Sequence, residues 1–147
     1  MAYTIIEVER HTGMPSRTLR FWLDKGLFPF VERDENGVRY FSAKDIEWVY
    51  WIHCYRKAGM SLEQIKNYIH LCAKGKQSAQ KRFEIITKQR EKVLKEIEKL
   101  QSALPTLDFK IKYYELLIKD DLDALNVLSK DYDNPCAIKR KRIVKDY

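Results

Sequence analysis

The stretch TIIEVERHTGMPSRTLRFWLDK, Thr4 to Lys25, decides the fold, because it reads as helix, turn, helix. Thr4 and Glu7 have the spacing of a capping box, which satisfies two orphan amides at a helix start, and Ile5, Ile6 and Val8 supply the apolar positions that follow. Gly13-Met14-Pro15 is a tight connector, since glycine accepts positive φ and proline cannot extend a preceding ladder. The first helix is therefore expected to stop at Gly13 and Ser16 to cap the second. On the second helix Leu19, Trp22 and Leu23 share one face, while Arg17, Phe21 and Asp24 share the opposite one. An aromatic on the polar side suits a helix laid in a DNA major groove. There Arg17 and Arg20 can meet phosphates or guanine edges, and Phe21 a sugar or a thymine methyl. The same residues also fit an amphipathic core helix with one stray Phe.

At 147 residues and 45% hydrophobic content the chain has room for one small globular domain and one extended element. Its net charge of +7 calls for an acidic partner, nucleic acid before an anionic membrane surface. No stretch approaches the ~20 apolar residues of a spanning helix. Met1-Ala2-Tyr3 runs straight into the first cap without a signal sequence, so the expected location is the cytosol. Cys54, Cys72 and Cys136 form no C-x-x-C pair and are read as free thiols, with no metal and no cofactor expected.

Beyond the second helix, Gly26-Leu27 reads as a stop followed by a buried anchor. Residues 30–33 and 38–41 read as two short strands around Asp34-Glu35-Asn36-Gly37, a β-wing carrying Arg33 and Arg39 toward the phosphate backbone. Ser42-x-x-Asp45 opens a third helix with Ile46, Val49, Ile52 and Tyr55 on one face, stopping at Gly59. Ser61-x-x-Gln64 opens a fourth with Leu62, Ile65 and Ile69 inward. Residues 73–78, with Gly75 between lysines, read as a hinge or linker.

From Phe83 the pattern lengthens. Phe83, Ile86, Arg90, Val93, Ile97, Leu100, Leu104, Leu107, Ile111, Tyr114 and Ile118 alternate spacings of three and four, a heptad seam with Arg90 as its polar interruption. Such a helix is roughly 50 Å long and cannot be covered by so small a domain, so it calls for a second copy in a coiled-coil homodimer. Because the seam keeps step across Pro105, that proline is read as a kink and not a termination. A short helix with Leu122, Leu125 and Leu128 inward and a basic tail holding residues 139–142 complete the chain.

Taken together, Thr18-Leu19-Arg20-Phe21-Trp22, Lys25-Gly26-Leu27, Gly37-Val38-Arg39-Tyr40-Phe41-Ser42 and Gly59-Met60-Ser61-Leu62-x-x-Ile65 resemble the MerR family of bacterial transcription regulators. His53 to Leu62, with a cysteine just before the Gly-Met turn, looks like its NmlR and AdhR branch of aldehyde- and nitrosative-stress regulators. Phe21, Trp22 and Phe41 depart from the tyrosines usual in the family, so hydroxyl-to-phosphate bonds expected there cannot form.

The resemblance implies a mainly α fold. A winged helix-turn-helix DNA-binding domain would occupy residues 1–72, a linker 73–80, an antiparallel coiled-coil dimerisation helix 81–119, and a short helix with a basic tail 120–147. It implies a dimer bound to a promoter palindrome between elements spaced too far apart for RNA polymerase, with a signal that distorts the spacer until they align. The expected DNA contacts are Ser16, Arg17, Thr18, Arg20, Phe21, Arg33, Arg39, Tyr40 and Lys57. Metal sensors of the family carry a cysteine pair after the dimer helix, where this chain has only Cys136, and drug sensors carry a further domain absent here.

Cys54 is the sensor candidate. Lys57 one turn on, with Arg56 and His53 beside it in sequence, favours a thiolate; the nearby helix C-terminus, with its negative dipole, opposes one. Three readings stay open: a regulator switched by an electrophile or oxidant at Cys54, one of the same fold switched by a small ligand or a protein, and an architectural DNA-binding protein without a switch. No carboxylate pair, Ser-His-Asp arrangement or phosphate-binding glycine loop points to an enzyme.

Overall fold

The computed structural model describes residues 1–120, Asn126 and 128–132. The expectations for Leu122, Leu125, Cys136 and residues 139–142 lie outside the described residues. Five α-helices are present among the described residues: α1 (Ile5–Thr12), α2 (Ser16–Asp24), α3 (Ala43–Lys57), α4 (Leu62–Ala73) and α5 (Ala79–Asp120), with a 3-10 turn over Gly75–Ser78. Internal contacts divide the chain into two units, Met1–Ile97 and Glu98–Tyr147.

Three of the four short helices start on the capping boxes that the sequence carries. Thr4 with Glu7, Ser42 with Asp45 and Ser61 with Gln64 each make both reciprocal bonds. The backbone and hydroxyl of Thr4 hold the Glu7 carboxyl below its ordinary value. α1 ends on Gly13 in the left-handed region at φ 70, with its amide on the Glu9 carbonyl at 2.8 Å.

The start of α2 differs from expectation. Pro15 occupies the cap position without a side-chain bond, Ser16 is already helical, and the Ser16 hydroxyl donates to the Glu9 carboxylate. The serine hydroxyl is turned to an acid on α1, so its oxygen does not accept from an amide of α2 as a cap would.

Regular strands do not form among the described residues, which corrects the expected β-wing. Only two isolated antiparallel bridges appear, Arg33 to Arg39 and Tyr3 to Phe41. The cause is local competition. Val31 donates to the Phe28 carbonyl at 3.2 Å, while the Asp34 carboxylate takes the amides of Asn36 at 2.9 Å and Val38 at 2.7 Å. What remains is a hairpin turned by Gly37 at φ 76, and Phe41 pairs with the chain ahead of α1 instead of with its hairpin partner.

In the first unit the core gathers Val8, Leu19, Trp22, Leu27, Phe41, Val49, Ile52, Met60 and Ile65. Phe28 and Phe41 meet edge to face at 5.6 Å. The segment after α4 is tied down: Arg82 donates from Nε to the Ser78 hydroxyl at 3.0 Å and from Nη2 to the Gly75 carbonyl at 3.1 Å. The Gln89 side-chain amide donates to the Ala58 carbonyl at 2.8 Å, fastening α5 to the turn between α3 and α4.

In the second unit α5 runs on through Pro105 to Asp120, and Leu100, Leu104, Leu107, Ile111, Tyr114 and Ile118 are all exposed, Ile118 at 85%. Among the described residues no helix is long and apolar enough to cross a membrane.

Phe41 is fully buried and Ser42 caps α3, so the two neighbours separate packing from capping. Phe41→Ala is expected to cost about 3–5 kcal/mol and Ser42→Ala about 1 kcal/mol, read from urea denaturation midpoints. Equal losses would contradict the central packing role given to Phe41.

Candidate nucleic-acid interface

The wheel of α2 sets up the site. Leu19, Trp22 and Leu23 are buried, which turns Arg17, Arg20, Phe21 and Asp24 to solvent. Phe21 is 48% exposed and lies under Lys25, whose Nζ is 5.6 Å from the ring centre. The sequence reading missed Lys25, although its i, i+4 spacing from Phe21 is the signal that points to it.

Three of the expected cations converge. Arg20 of α2 and Arg33 and Arg39 of the hairpin line one cleft of about 550 Å³, whose apolar wall includes Ile5, Leu23 and Val38. The bridge between Arg33 and Arg39 places both on the same pair of hairpin arms. Arg39 Nη1 lies 3.6 Å from Asp24 Oδ1, joining the hairpin to α2 across 70% exposed carboxylate surface. An exposed pair of this kind is worth little in stability, so the guanidinium is oriented by it without being locked. Asp24 was read only as polar decoration, and its role as the partner of Arg39 depends on a contact between distant segments.

The remaining expected contacts scatter. Arg17 is exposed on α2, Thr18 is half-buried beside it, and Ser16 is held by Glu9. Tyr40 turns to a different cleft of about 510 Å³ that it shares with Phe30, Lys44 and Trp48. Lys57 is exposed at the end of α3.

Cys54 is half-buried and lines a groove of about 330 Å³ with Met60, Ile86, Gln89 and Val93. Cys54 lies beside the phenol of Tyr50, one turn earlier, and raises that phenol's pKa. Arg56, expected to help the thiolate, instead donates to the Met60 carbonyl at 2.7 Å.

Cys72, half-buried on α4, has its thiol pushed up by burial, an effect that Arg82 and Tyr68 partly offset. Burial also pushes up the Tyr55 phenol, with Tyr68 adding to the effect.

Family models match this chain over its length up to residue 108: the MerR HTH family regulatory protein model covers residues 3–71, and the MerR, DNA binding model residues 46–108. An uncharacterised HTH-type transcriptional regulator of Haemophilus influenzae is 33% identical over 115 residues, 78% of this chain and 85% of that protein. The HTH-type transcriptional regulator AdhR of Bacillus subtilis is 32% identical over 90 residues, 61% of this chain and 64% of that protein. Among solved structures, HiNmlR, a MerR family regulator lacking the sensor domain and bound to promoter DNA, superposes with a TM-score of 0.69 at 31% identity. That match covers 82% of this chain and 96% of HiNmlR.

If Arg20 and Arg39 each neutralise a phosphate, Arg20→Ala and Arg39→Ala should each lower the salt slope of duplex binding by about 0.9. Asp24→Asn, which frees Arg39 from its carboxylate, should tighten binding to random duplex without lowering that slope. Unchanged slopes for both alanine variants would remove this cleft from DNA docking.

Proposed function

The chain belongs to the MerR family of helix-turn-helix transcriptional regulators, and from that premise we propose that it acts as a homodimer that binds a promoter palindrome and activates transcription by distorting the spacer DNA. It is a regulator that binds promoter DNA and not an enzyme. The observation that carries the reading is the convergence of Arg20, Arg33 and Arg39 on one cleft between α2 and the hairpin. Backbone phosphates are met there from two elements at once, which fixes orientation on the duplex, while Arg17 and Phe21 stay free on α2 for base edges and sugars.

Dimerisation follows from the exposed seam. A helix with Leu100, Leu104, Leu107 and Ile111 open to water loses apolar burial worth roughly 1.5–3 kcal/mol per side chain until a second copy covers them. Arg90, exposed within the seam, then sets register. Two copies bring two α2 helices to one duplex, and a change in their separation bends and untwists the spacer, a signal written in DNA deformation.

The input assigned to this dimer is an electrophile, oxidant or nitrosating species acting at Cys54, a reading supported by the likeness to AdhR and by the groove at that thiol. With formaldehyde the Sγ attacks the carbonyl carbon, an S–C bond forms, and the carbonyl oxygen takes up the thiol's proton as a hydroxyl. The added group enters the groove beside Gln89, the side chain that fastens α5, and so biases between two dimer geometries.

Sedimentation should find a dimer at micromolar concentration, and Leu100→Asp with Leu107→Asp should yield monomers that lose palindrome binding; a wild-type monomer would remove the coiled-coil proposal. For the signal, in vitro transcription with Cys54→Ser, Cys72→Ser and Cys136→Ser proteins, each with and without formaldehyde or a nitrosothiol, should lose induction in Cys54→Ser alone. Induction surviving in all three would abolish the thiol model.

A further inference from the structure

Helix α3 has two apolar faces: one is fully buried in the core, and the other packs on it only in part, through Trp48 and Tyr55. Val49 and Ile52 are fully buried, whereas Trp48, Trp51 and Tyr55 form a second row, with Trp51 43% exposed. Large aromatic side chains bury 150–250 Å² each when covered, so a row of three left partly open is an unusual surface. The row forms one wall of a cleft of about 410 Å³, within the range of small-molecule sites, whose other wall is Tyr68 and Cys72 of α4 and Arg82 of α5.

The rings make a shelf. Trp51 and Tyr55 lie nearly parallel, 26° apart with centres at 6.0 Å, and Tyr68 closes on Tyr55 edge-on at 5.1 Å. A planar aromatic ring is the shape that stacks on the open face of such a pair with low entropy cost. At its rim the charge is positive. Lys44 and Arg82 face Glu47, a balance of two cations against one carboxylate that suits a monoanion better than a phosphate dianion.

Arg82 is also pre-set. Its bonds to the Ser78 hydroxyl and the Gly75 carbonyl engage Nε and Nη2, and the Ser78 hydroxyl is itself buried and bonded to the Leu71 carbonyl. The remaining Nη hydrogens lie near the Cys72 thiol, a weak acceptor that a carboxylate displaces, and because the fork is already held, little freedom is lost on binding.

We infer that the cleft between α3, α4 and the start of α5 binds a small planar aromatic carboxylate, with the ring stacked on Trp51 and the carboxylate on Arg82. A cationic ligand is repelled by Lys44 and Arg82, and an uncharged ring leaves them unmatched. The site is separate from the Arg20 cleft and adjoins the groove at Cys54, with which it shares Tyr55. Occupancy would join three helices at the point where α5 begins. That regulatory consequence rests on the regulator reading above, whereas the binding does not.

The test separates the two. Benzoate is titrated into the full-length protein without DNA, and the indole N–H resonances are followed by NMR. Trp48 and Trp51 line the cleft, while Trp22 is buried in the core and serves as an internal control. Saturable shifts of the Trp48 and Trp51 signals with Trp22 unmoved are expected. Arg82→Gln should weaken binding at least about tenfold and the exposed-site change Trp51→Ala about fivefold. Cyclohexanecarboxylate and benzyl alcohol, which keep only the charge or only the ring, should bind more weakly than benzoate. No saturable shift with benzoate, equal binding of cyclohexanecarboxylate, affinities unmoved in both variants, or tighter binding of a nucleoside monophosphate would each overturn the assignment. A second titration on the promoter complex then reads the regulatory consequence alone.

Discussion

One pair of backbone hydrogen bonds sets the register of the first unit. The Tyr3 amide donates to the Phe41 carbonyl and the Phe41 amide to the Tyr3 carbonyl, both at 2.8 Å, closing a loop from the chain ahead of α1 to the end of the hairpin. Thr4, next to Tyr3, caps α1, and Ser42, next to Phe41, caps α3, so the same exchange fixes where two helices start. The Phe41 ring meanwhile points into the core against Phe28, with no exposure. Loop-closure entropy opposes so distant a pairing, and the burial of a whole aromatic side chain offsets it. The hairpin, and with it Arg33 and Arg39, is thereby anchored at its far end to the element that carries α2.

Legibility in the sequence followed the range of the interaction. The capping boxes at Thr4, Ser42 and Ser61 and the glycine end of α1 were readable because each determinant lies within a few residues of its partner. Ser16 was misread as a cap because its competitor, Glu9, sits on the preceding helix. The wing was misread as strands for a related reason: alternation and Asn-Gly describe a hairpin, but whether a ladder forms depends on what Asp34 and Phe41 bond instead. In α3, counting Ile46, Val49, Ile52 and Tyr55 as one face captured the core. The row at 48, 51 and 55 was visible as spacing, yet its meaning depended on Tyr68 and Arg82 from other helices.

At the cleft proposed to meet DNA, and on α2 beside it, groups expected to contact phosphate come with acids close by. Asp24 orients Arg39, and Glu9 holds Ser16, so contacts expected with phosphate are already satisfied within the chain. In the proposed complex, binding exchanges a partner instead of gaining one, which lowers the net gain per contact and penalises a duplex whose phosphates are misplaced. In the same proposal Phe21, with no hydroxyl to offer and Lys25 over its ring, supplies apolar contact where a tyrosine would have supplied a polar one.

The attachment of α5 is held by few groups, and this gives the two described thiols different meanings. Gln89 on the Ala58 carbonyl borders the groove of Cys54, and Arg82 on the 3-10 turn borders the cleft of Cys72. Each thiol therefore lies beside a polar fastening of α5, Cys54 beside the bond to the turn after α3 and Cys72 beside the bonds to the 3-10 turn. Burial holds the Cys72 thiol toward its protonated form, and a thiol is a poor nucleophile. That favours the reversible occupancy proposed for its cleft over covalent chemistry there. At Cys54 the neighbouring groove is lined by Met60, Ile86 and Val93, so an adduct there displaces packing around Gln89 directly. Because the carbonyl of Ala58 sits in the turn between α3 and α4, loss of that single bond leaves a helix-terminal acceptor to find water, while the Arg82 bonds still hold the start of α5.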